Sequence, residues 1–402
     1  MINLLKIKVS GFKNLPDDFA IDFTTKARVS EEEGDVSEVL EIAENLYTFN
    51  IIAFTGSNSS GKSTVLSLIS YVLTFMKTGR WRYRKQDFNS DSISLKIEFF
   101  LNGVVYLYES TIMPNHENLE FEISSPYCRI AGERIDYALY NANAGKRYLK
   151  TLKFARDEHA SGLEDTSVLV FLCRDHLNGY FVAPFSINGV MVTNSFFDCL
   201  NLYNKELTCE IIRLLDESIE YIKYVGQDNV VMKRFGQKEK NYTKLGLLNV
   251  LSNGTIKGIE LYIRIVTLLK TGGILVVDEI ENCFHKNLVN NILFLITDKT
   301  LNRKDATIIF STHYSEILDV FQRRDNIFIL HKNGTSINIS NFYEDYDIRA
   351  EISKSKQFNN NAFGTLLNYD RLMNVKRLIK NEVVGHDWRH MRTSYDECSF
   401  GT

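Results

Sequence analysis

The stretch "GSNSSGKST", Gly56 to Thr64, decides how the rest of the chain is read. It fits the pattern G-x-x-x-x-G-K-[ST], and its flanks supply the context that pattern needs. The apolar run "LYTFNIIAFTG" (46–56) predicts a buried strand entering the glycine turn, and "STVLSLISYVLTFM" (63–76) predicts a helix leaving it. In such a unit, backbone N–H groups across Gly56, Ser57, Asn58, Ser59, Ser60, Gly61, Lys62, Ser63 and Thr64 are expected to converge on phosphate oxygens at the positive end of the helix. Lys62 is placed to reach the β- and γ-phosphates of a nucleotide, and the Ser63 hydroxyl to hold Mg2+.

Other strand ends downstream carry matching chemistry. "ILVVDEIEN" (274–282) closes on two carboxylates: Asp278 is placed for the water shell of Mg2+, and Glu279 for polarising an attacking water as general base. The lesser alternative is that these adjacent acids merely cap the next helix. "IIFSTHYSEIL" (308–318) ends a strand at Thr312 and His313. A histidine there faces the ligand crevice of a parallel sheet and can bond a γ-phosphate; alone, it also reads as a core or capping residue. In "LSNGTIKGIEL" (251–261), Ser252 in the N-cap region and Gly254 opening a helix leave N–H donors and a dipole end suited to an anion. A plain helix cap explains that segment equally well when it is taken alone.

Around these motifs the order is that of an α/β protein. Ile2 to Val9 alternates like a strand with a hairpin partner at Phe19 to Phe23, and "ISLKIEFFLNGVVYLYESTI" (93–112) alternates around Asn102-Gly103, a hairpin signal. Helices from Gly254 and near 287–299 alternate with strands at 273–278, 306–312 and 326–331. That order implies a mixed, largely parallel sheet covered on both faces. Between them "ELTCEIIRLLDESIEYIKYV" (206–225) has Ile211, Leu215, Ile219 and Ile222 at helical spacing, predicting an inserted, mostly helical lobe. The expected divisions are 1–125, 126–245, 246–345 and a tail, 346–402.

Bulk properties narrow the function. A chain of 402 residues exceeds the roughly 250–300 over which one core stops growing, so more than one lobe is expected. A net charge of −3 gives no global attraction for nucleic acid, so any such contact needs a local patch. The six cysteines (128, 173, 199, 209, 283, 398) show no metal-ligand spacing and suit a reducing cytosol as structural fillers. No apolar run reaches the ~18 residues of a membrane span, and the opening "MINLLKIKVSGFKNL" alternates unlike a signal peptide, so a cytoplasmic protein is expected.

"GSNSSGKST", "LSNGT", "LVVDEIENCFH" and "FSTHYSEILD" occur in the order and spacing of ABC-type ATPases of the branch containing RecF, SMC proteins and the ATPase halves of OLD-family nucleases. The chain resembles that branch over about 1–125 and 200–345. "LLDESIEYI" (214–222), "HKNLVNNIL" (285–293) and "RRDNIFIL" (323–330) are similar to its single-chain bacterial members, often encoded beside phage-defence effectors. The resemblance implies an ABC-type P-loop fold, ATP and Mg2+ as ligands, and ATP hydrolysis. It also implies two chains facing head to tail, so that Ser252 and Gly254 serve the γ-phosphate held by the other chain, with further oligomerisation left open. Glu279 would be the catalytic base, Asp278 the Mg2+ ligand, His313 the γ-phosphate switch, and Glu281 and Asn282 part of the loop meeting the opposing subunit. Gln86 of "RKQDF" stands where the branch has its metal-linked lid glutamine, with a surface glutamine as the other reading; Lys13 of "GFKNL" matches a basic residue near the nucleotide or is an exposed structural lysine.

Long coiled-coil arms are absent, and the 89 residues after His313 are too few for an OLD-type nuclease domain. Any effector activity is therefore expected in a separate polypeptide. Nucleic acid remains possible through "RWRYRK" (80–85), either a stacking and phosphate-binding patch or a solvated edge. "KRYLKTLKFAR" (146–156) reads as a partner face or a helix surface, and the acidic run 31–45 as a solvated loop or a dock for a basic partner. "HDWRH" (386–390) has two histidines four apart but no second ligand pair.

Overall fold

The computed structural model describes residues 1–29, 36–115, 126–140, 152–155, 165–182, 197, 200, 205–226, 228–282, 285–346, 353–360, 363 and 369–385. "HDWRH", Cys199, Cys283, Cys398, most of "KRYLKTLKFAR" and residues 31–35 of the acidic run lie outside them. Among the described residues, no helix is long and apolar enough to cross a membrane.

The chain opens with strands β1 (Asn3–Ser10) and β2 (Phe19–Asp22), a small hairpin of β3 (Val39–Ala43) and β4 (Leu46–Phe49), then β5 (Ile51–Gly56) and helix α1 (Lys62–Thr78). A second hairpin follows, β6 (Ile93–Leu101) and β7 (Val104–Met113), turning at Asn102 and Gly103 with φ 50° and 81°. Two consecutive left-handed residues match the twist of the flanking strands, which is why Asn-Gly serves there. Next come β8 (Arg129–Leu139), β9 (Leu152–Ala155), α2 (Leu169–Cys173), β10 (Gly179–Val182) and α3 (Lys205–Leu215). A meander of β11 (Ile219–Gly226), β12 (Asn229–Arg234) and β13 (Lys240–Thr243) leads into α4 (Lys244–Val250) and α5 (Asn253–Thr271). The remainder is β14 (Gly273–Val277), α6 (Lys286–Thr297), β15 (Ala306–Thr312), β16 (Ile327–Asn333), β17 (Ser336–Asn341), α7 (Lys354–Asn359) and α8 (Tyr369–Gly385).

Two six-stranded sheets result. One is antiparallel, ordered β2-β1-β6-β7-β8-β9; the other, β10-β14-β15-β5-β16-β17, is parallel except at β17. The second sheet is the expected mixed, largely parallel one, and the period-2 geometry of its strands divides the core between its faces. Ile52, Phe54, Ile274, Val276, Ile309, Phe328 and Leu330 pack with α1 and the antiparallel sheet. Their neighbours Ile51, Ala53, Leu275, Val277, Ile308, Phe310, Ile327 and Ile329 pack with α3, α5 and α6. Burial on both faces explains why these strands read as continuous apolar runs.

Three expectations need correction. Residues 126–245 are not mostly helical among the described residues: β8 and β9 extend the antiparallel sheet, β10 joins the parallel one, and β11–β13 form a sheet of their own. The helix predicted over 206–225 stops at Leu215, because the Asp216 carboxylate accepts the Ser218 N–H at 3.0 Å and its hydroxyl at 2.6 Å, closing a turn that starts a strand. Ile211, Ile219 and Ile222 still share one core, so helical spacing was satisfied by tertiary packing across that turn. Likewise the run 46–56 is two strands, broken at the buried Asn50, whose side-chain amide donates to Ser37 O at 2.6 Å. The described cysteines 128, 173 and 209 are free and buried, as fillers should be.

Candidate nucleotide site

Parallel pairing of β14, β15 and β5 brings three sequence-distant strand ends to one edge: Val277 lies opposite Phe310, and Thr312 opposite Thr55. Ligand crevices of α/β sheets open at such carboxyl ends. Here the crevice is a cavity of about 400 Å3 lined by Asn14, Asn58, Ser59, Ser60, Gly61, Lys62, Ser63, Thr64, Glu279 and His313.

The phosphate loop has the backbone its sequence demands. Gly56 has φ 148° and a Cβ there would lie 2.4 Å from Leu330 O; Gly61 has φ 105° and a Cβ there would meet Ile337 Cδ1 at 2.3 Å. Ser59, also left-handed at φ 61°, completes the turn. Gly61 is the N-cap of α1 and brings no side-chain cap, so the first turn presents its N–H groups and dipole to the cavity. Ser60 Oγ is buried without a partner, and Lys62 Nζ rests on the carbonyls of Gly56 and Ser57, each at 2.8 Å. Burial pushes the Lys62 ammonium down to about 8, against the pull of the Glu281, Asp278 and Glu279 carboxylates. An uncapped helix start, an orphaned hydroxyl and a buried cation beside an open cavity together fit a polyphosphate.

The acidic strand end is held from several sides. Asp278, 3% exposed, accepts the Ser311 hydroxyl at Oδ1 (2.5 Å), and Ser311 Oγ in turn accepts the Glu279 N–H (2.7 Å). Glu279 has a left-handed backbone, φ 49°, which turns its carboxylate into the cavity, where Oε1 lies 3.4 Å from His313 Nε2. Glu281 Oε1 accepts the His313 N–H at 2.5 Å, and Asn282 N–H donates to Glu279 O at 2.9 Å. From α5, the buried Lys257 places Nζ 3.1 Å from that same Glu279 carbonyl. Asn14, Ser311 and Lys257 were not singled out in the sequence; only the run "FSTH", with Ser311 two residues before His313, hinted at the second of them.

Other expected residues sit elsewhere. Ser252 is exposed and caps α5, accepting the Thr255 N–H at 3.0 Å; neither it nor Gly254 lines the cavity. Gln86 is exposed on the short 3-10 turn Lys85–Asp87 and does not line the cavity either. Its neighbour Asp87 is fully buried, accepts the Tyr71 hydroxyl at 2.6 Å and lies 3.4 Å from Lys13 Nζ. Lys13 lines an adjoining cavity of about 430 Å3 that shares Asn14 with the first. In "RWRYRK", Trp81 is fully buried and stacks on Tyr71, so it is core and no platform for a base. Arg80, Arg82, Arg84 and Lys85 are exposed, Arg80 lying over Tyr127 and Arg84 over Tyr71. Among the described residues, no group of three or more His, Cys, Asp or Glu is arranged to hold a metal ion unaided.

A phosphate loop at the carboxyl edge of a largely parallel sheet, with an acidic strand end and a histidine beside it, defines an ATP-binding P-loop domain of the ATPase class. The family described as "AAA domain, putative AbiEii toxin, Type IV TA system" matches residues 51–319, about two thirds of the sequence, and the chain belongs to it. Among solved structures, the SMC head domain from Thermotoga maritima is similar at 14% identity and TM-score 0.38, covering 84% of this chain and 98% of that one. An SMC head bound to the C-winged helix domain of ScpA is similar at 12% identity and TM-score 0.43, covering 84% and 97%. No curated protein matches the sequence.

Proposed function

We propose that this chain hydrolyses ATP in composite sites formed between two facing copies, and that closing and opening of the pair controls a separate effector protein. The observation that carries the composite site is the position of α5: its capped N-terminus is exposed at Ser252 and Asn253, half-buried at Gly254, and contributes nothing to its own chain's cavity. A helix start of that kind suits an anion presented by another molecule. Within each cavity the phosphate loop and Lys62 bind the triphosphate, Glu279 takes a proton from the attacking water, and His313 bonds the γ-phosphate. Ser63 and Asp278 would hold Mg2+, which, when bound, neutralises charge on the phosphates. Gln86 is exposed and does not line this cavity.

Mixing tests the composite site. Ser252→Arg and Lys62→Ala, each inactive alone, should recover part of the wild-type turnover when combined, since one of the two sites in a mixed dimer is then intact. No recovery, with mixed dimers shown to form, would sink the reading. Effector control in defence against phage rests on the resemblance to single-chain bacterial ATPases, and the family's description names a toxin–antitoxin system. Capture of partners by tagged Glu279→Gln with Mg-ATP, before and after nuclease treatment, tests it: a stoichiometric protein resistant to nuclease is expected.

A second reading, a RecF-like ATPase that binds DNA, is favoured by the exposed Arg80, Arg82, Arg84 and Lys85. It requires retained nucleic acid without a protein partner in the same capture, and binding that weakens steeply with salt.

A further inference from the structure

Lys257 lies on α5, five residues beyond Ser252, and is 1% exposed. Taking an ammonium out of water is costly, so a lysine in the interior must be held by specific acceptors. One of them is the main-chain oxygen of Glu279, 3.1 Å from Nζ. That carbonyl belongs to a residue with a left-handed backbone and no glycine to ease it, φ 49°. Such conformations persist where surrounding contacts over-determine them.

Three contacts do so here. Ser311 Oγ accepts the Glu279 N–H from β15, the Asn282 N–H reaches the Glu279 carbonyl from within the turn, and Lys257 reaches the same carbonyl from α5. Ser311 belongs to the sheet and Asn282 to the acidic turn itself. Lys257 is the one of the three that comes from the helix whose N-terminal end is exposed at Ser252 and Asn253. Beside it, Gly258 admits Leu215 of α3 so closely that a Cβ would lie 2.5 Å from Leu215 Cδ2, which fixes the depth at which α5 sits.

We infer that Lys257 is a positioning residue that ties the aim of the Glu279 carboxylate to the seating of α5. The inference rests on the reading that Glu279 is the base and that the start of α5 engages a nucleotide held by the facing copy. Helix α5 runs unbroken from Asn253 to Thr271, so a displacement at its N-terminus is carried the ~6 Å to Lys257 as a rigid-body shift. Engaging the partner's nucleotide then improves the aim of the base in the chain's own cavity, so a site turns over faster when the facing copy also holds nucleotide, and more slowly, though not at zero rate, when it does not.

Steady-state turnover against ATP concentration tests this with the full chain, comparing wild type, Lys257→Met and Lys257→Arg, with nucleotide affinity measured separately by equilibrium titration. Lys257→Met should lower kcat by at least about tenfold while affinity stays within about twofold, because the lost interaction acts on the base and not on ground-state binding. Its Hill coefficient should fall to about one from a higher wild-type value. Lys257→Arg keeps a donor and should recover most of kcat. Wild-type kcat and Hill coefficient in Lys257→Met, or equal losses in Met and Arg variants, would overturn the inference. Should Lys257→Met not fold, Lys257→Gln, a shorter neutral side chain, carries the same comparison, and wild-type kinetics there are equally fatal. A wild-type protein that binds ATP but does not turn it over removes the hydrolase reading itself, and this inference with it; a hydrolysing wild type with indifferent Lys257 variants removes only the latter.

Discussion

Ser311 on β15 donates its hydroxyl proton to Asp278 Oδ1 across 2.5 Å, and the same oxygen accepts the Glu279 N–H at 2.7 Å. One buried serine thus sets the distance between two neighbouring strand ends and fixes the peptide plane that aims Glu279. Ser311→Ala should lower stability by about 1–3 kcal/mol, since a buried carboxylate oxygen and a buried N–H both lose their partner. Turnover should fall by more than the unfolded fraction explains, up to roughly a hundredfold if the acids shift by about 1 Å. Denaturant titration alongside ATPase assays separates the two effects.

Lys62→Ala should abolish nucleotide binding, and with it turnover. Glu279→Gln, which keeps the shape of the side chain and removes the base, should retain binding and lose turnover by at least about a hundredfold. Equilibrium nucleotide titration of both variants checks the split; robust hydrolysis in either contradicts the proposed roles.

Gly61→Ala should fail for two independent reasons. The backbone there is at φ 105°, and a Cβ would meet Ile337 Cδ1 at 2.3 Å. Because the clash lies at the start of α1, the expected outcome is a folded protein with sharply weakened nucleotide binding and a lowered melting temperature. Ile337→Ala combined with it should relieve the steric part only, and a melting curve of the double variant reads out how much that is.

Asp325, fully buried, receives Lys26 N–H at 2.8 Å, Ala27 N–H at 2.9 Å, and two guanidinium contacts from Arg323 at 2.8 and 2.7 Å. Removing one partner of such a buried pair strands the other, so Asp325→Ala should cost about 3–5 kcal/mol in a denaturant titration. With the nucleotide cavity untouched, the surviving folded fraction should bind ATP normally.

The sheet and the site core were legible because their signals are local. A glycine loop with Lys62 and Ser63, an apolar strand ending in Asp278 and Glu279, and a strand ending in His313 each occupy fewer than ten consecutive residues, and the structure brings Glu279, His313 and the loop to one cavity. What escaped is what depends on partners far along the chain. Lys257 reads as one polar position within a helix, and nothing near it in sequence announces the Glu279 carbonyl it reaches. Trp81, set among arginines, reads as a surface aromatic until Tyr71, Phe12 and Phe75 close around it. The helix drawn through Ile219 failed for the same reason, since an Asx turn at Asp216 outweighs apolar spacing that two different elements can jointly satisfy.

The place of β5 between β15 and β16 has a consequence for how the protein is made. Ile51 pairs with Ile308, and a ribosome adding ~5–20 residues per second delivers the second roughly 13–50 s after the first. During that wait α1 and the hairpin of β6 and β7, synthesised soon after β5, can shelter Ile52 and Phe54, but both hydrogen-bonding edges of the strand stay bare. A nascent chain halted before residue 306 would expose a strand that is buried along its whole length in the finished sheet to any other strand it met, so premature termination should yield aggregates rather than a smaller soluble domain.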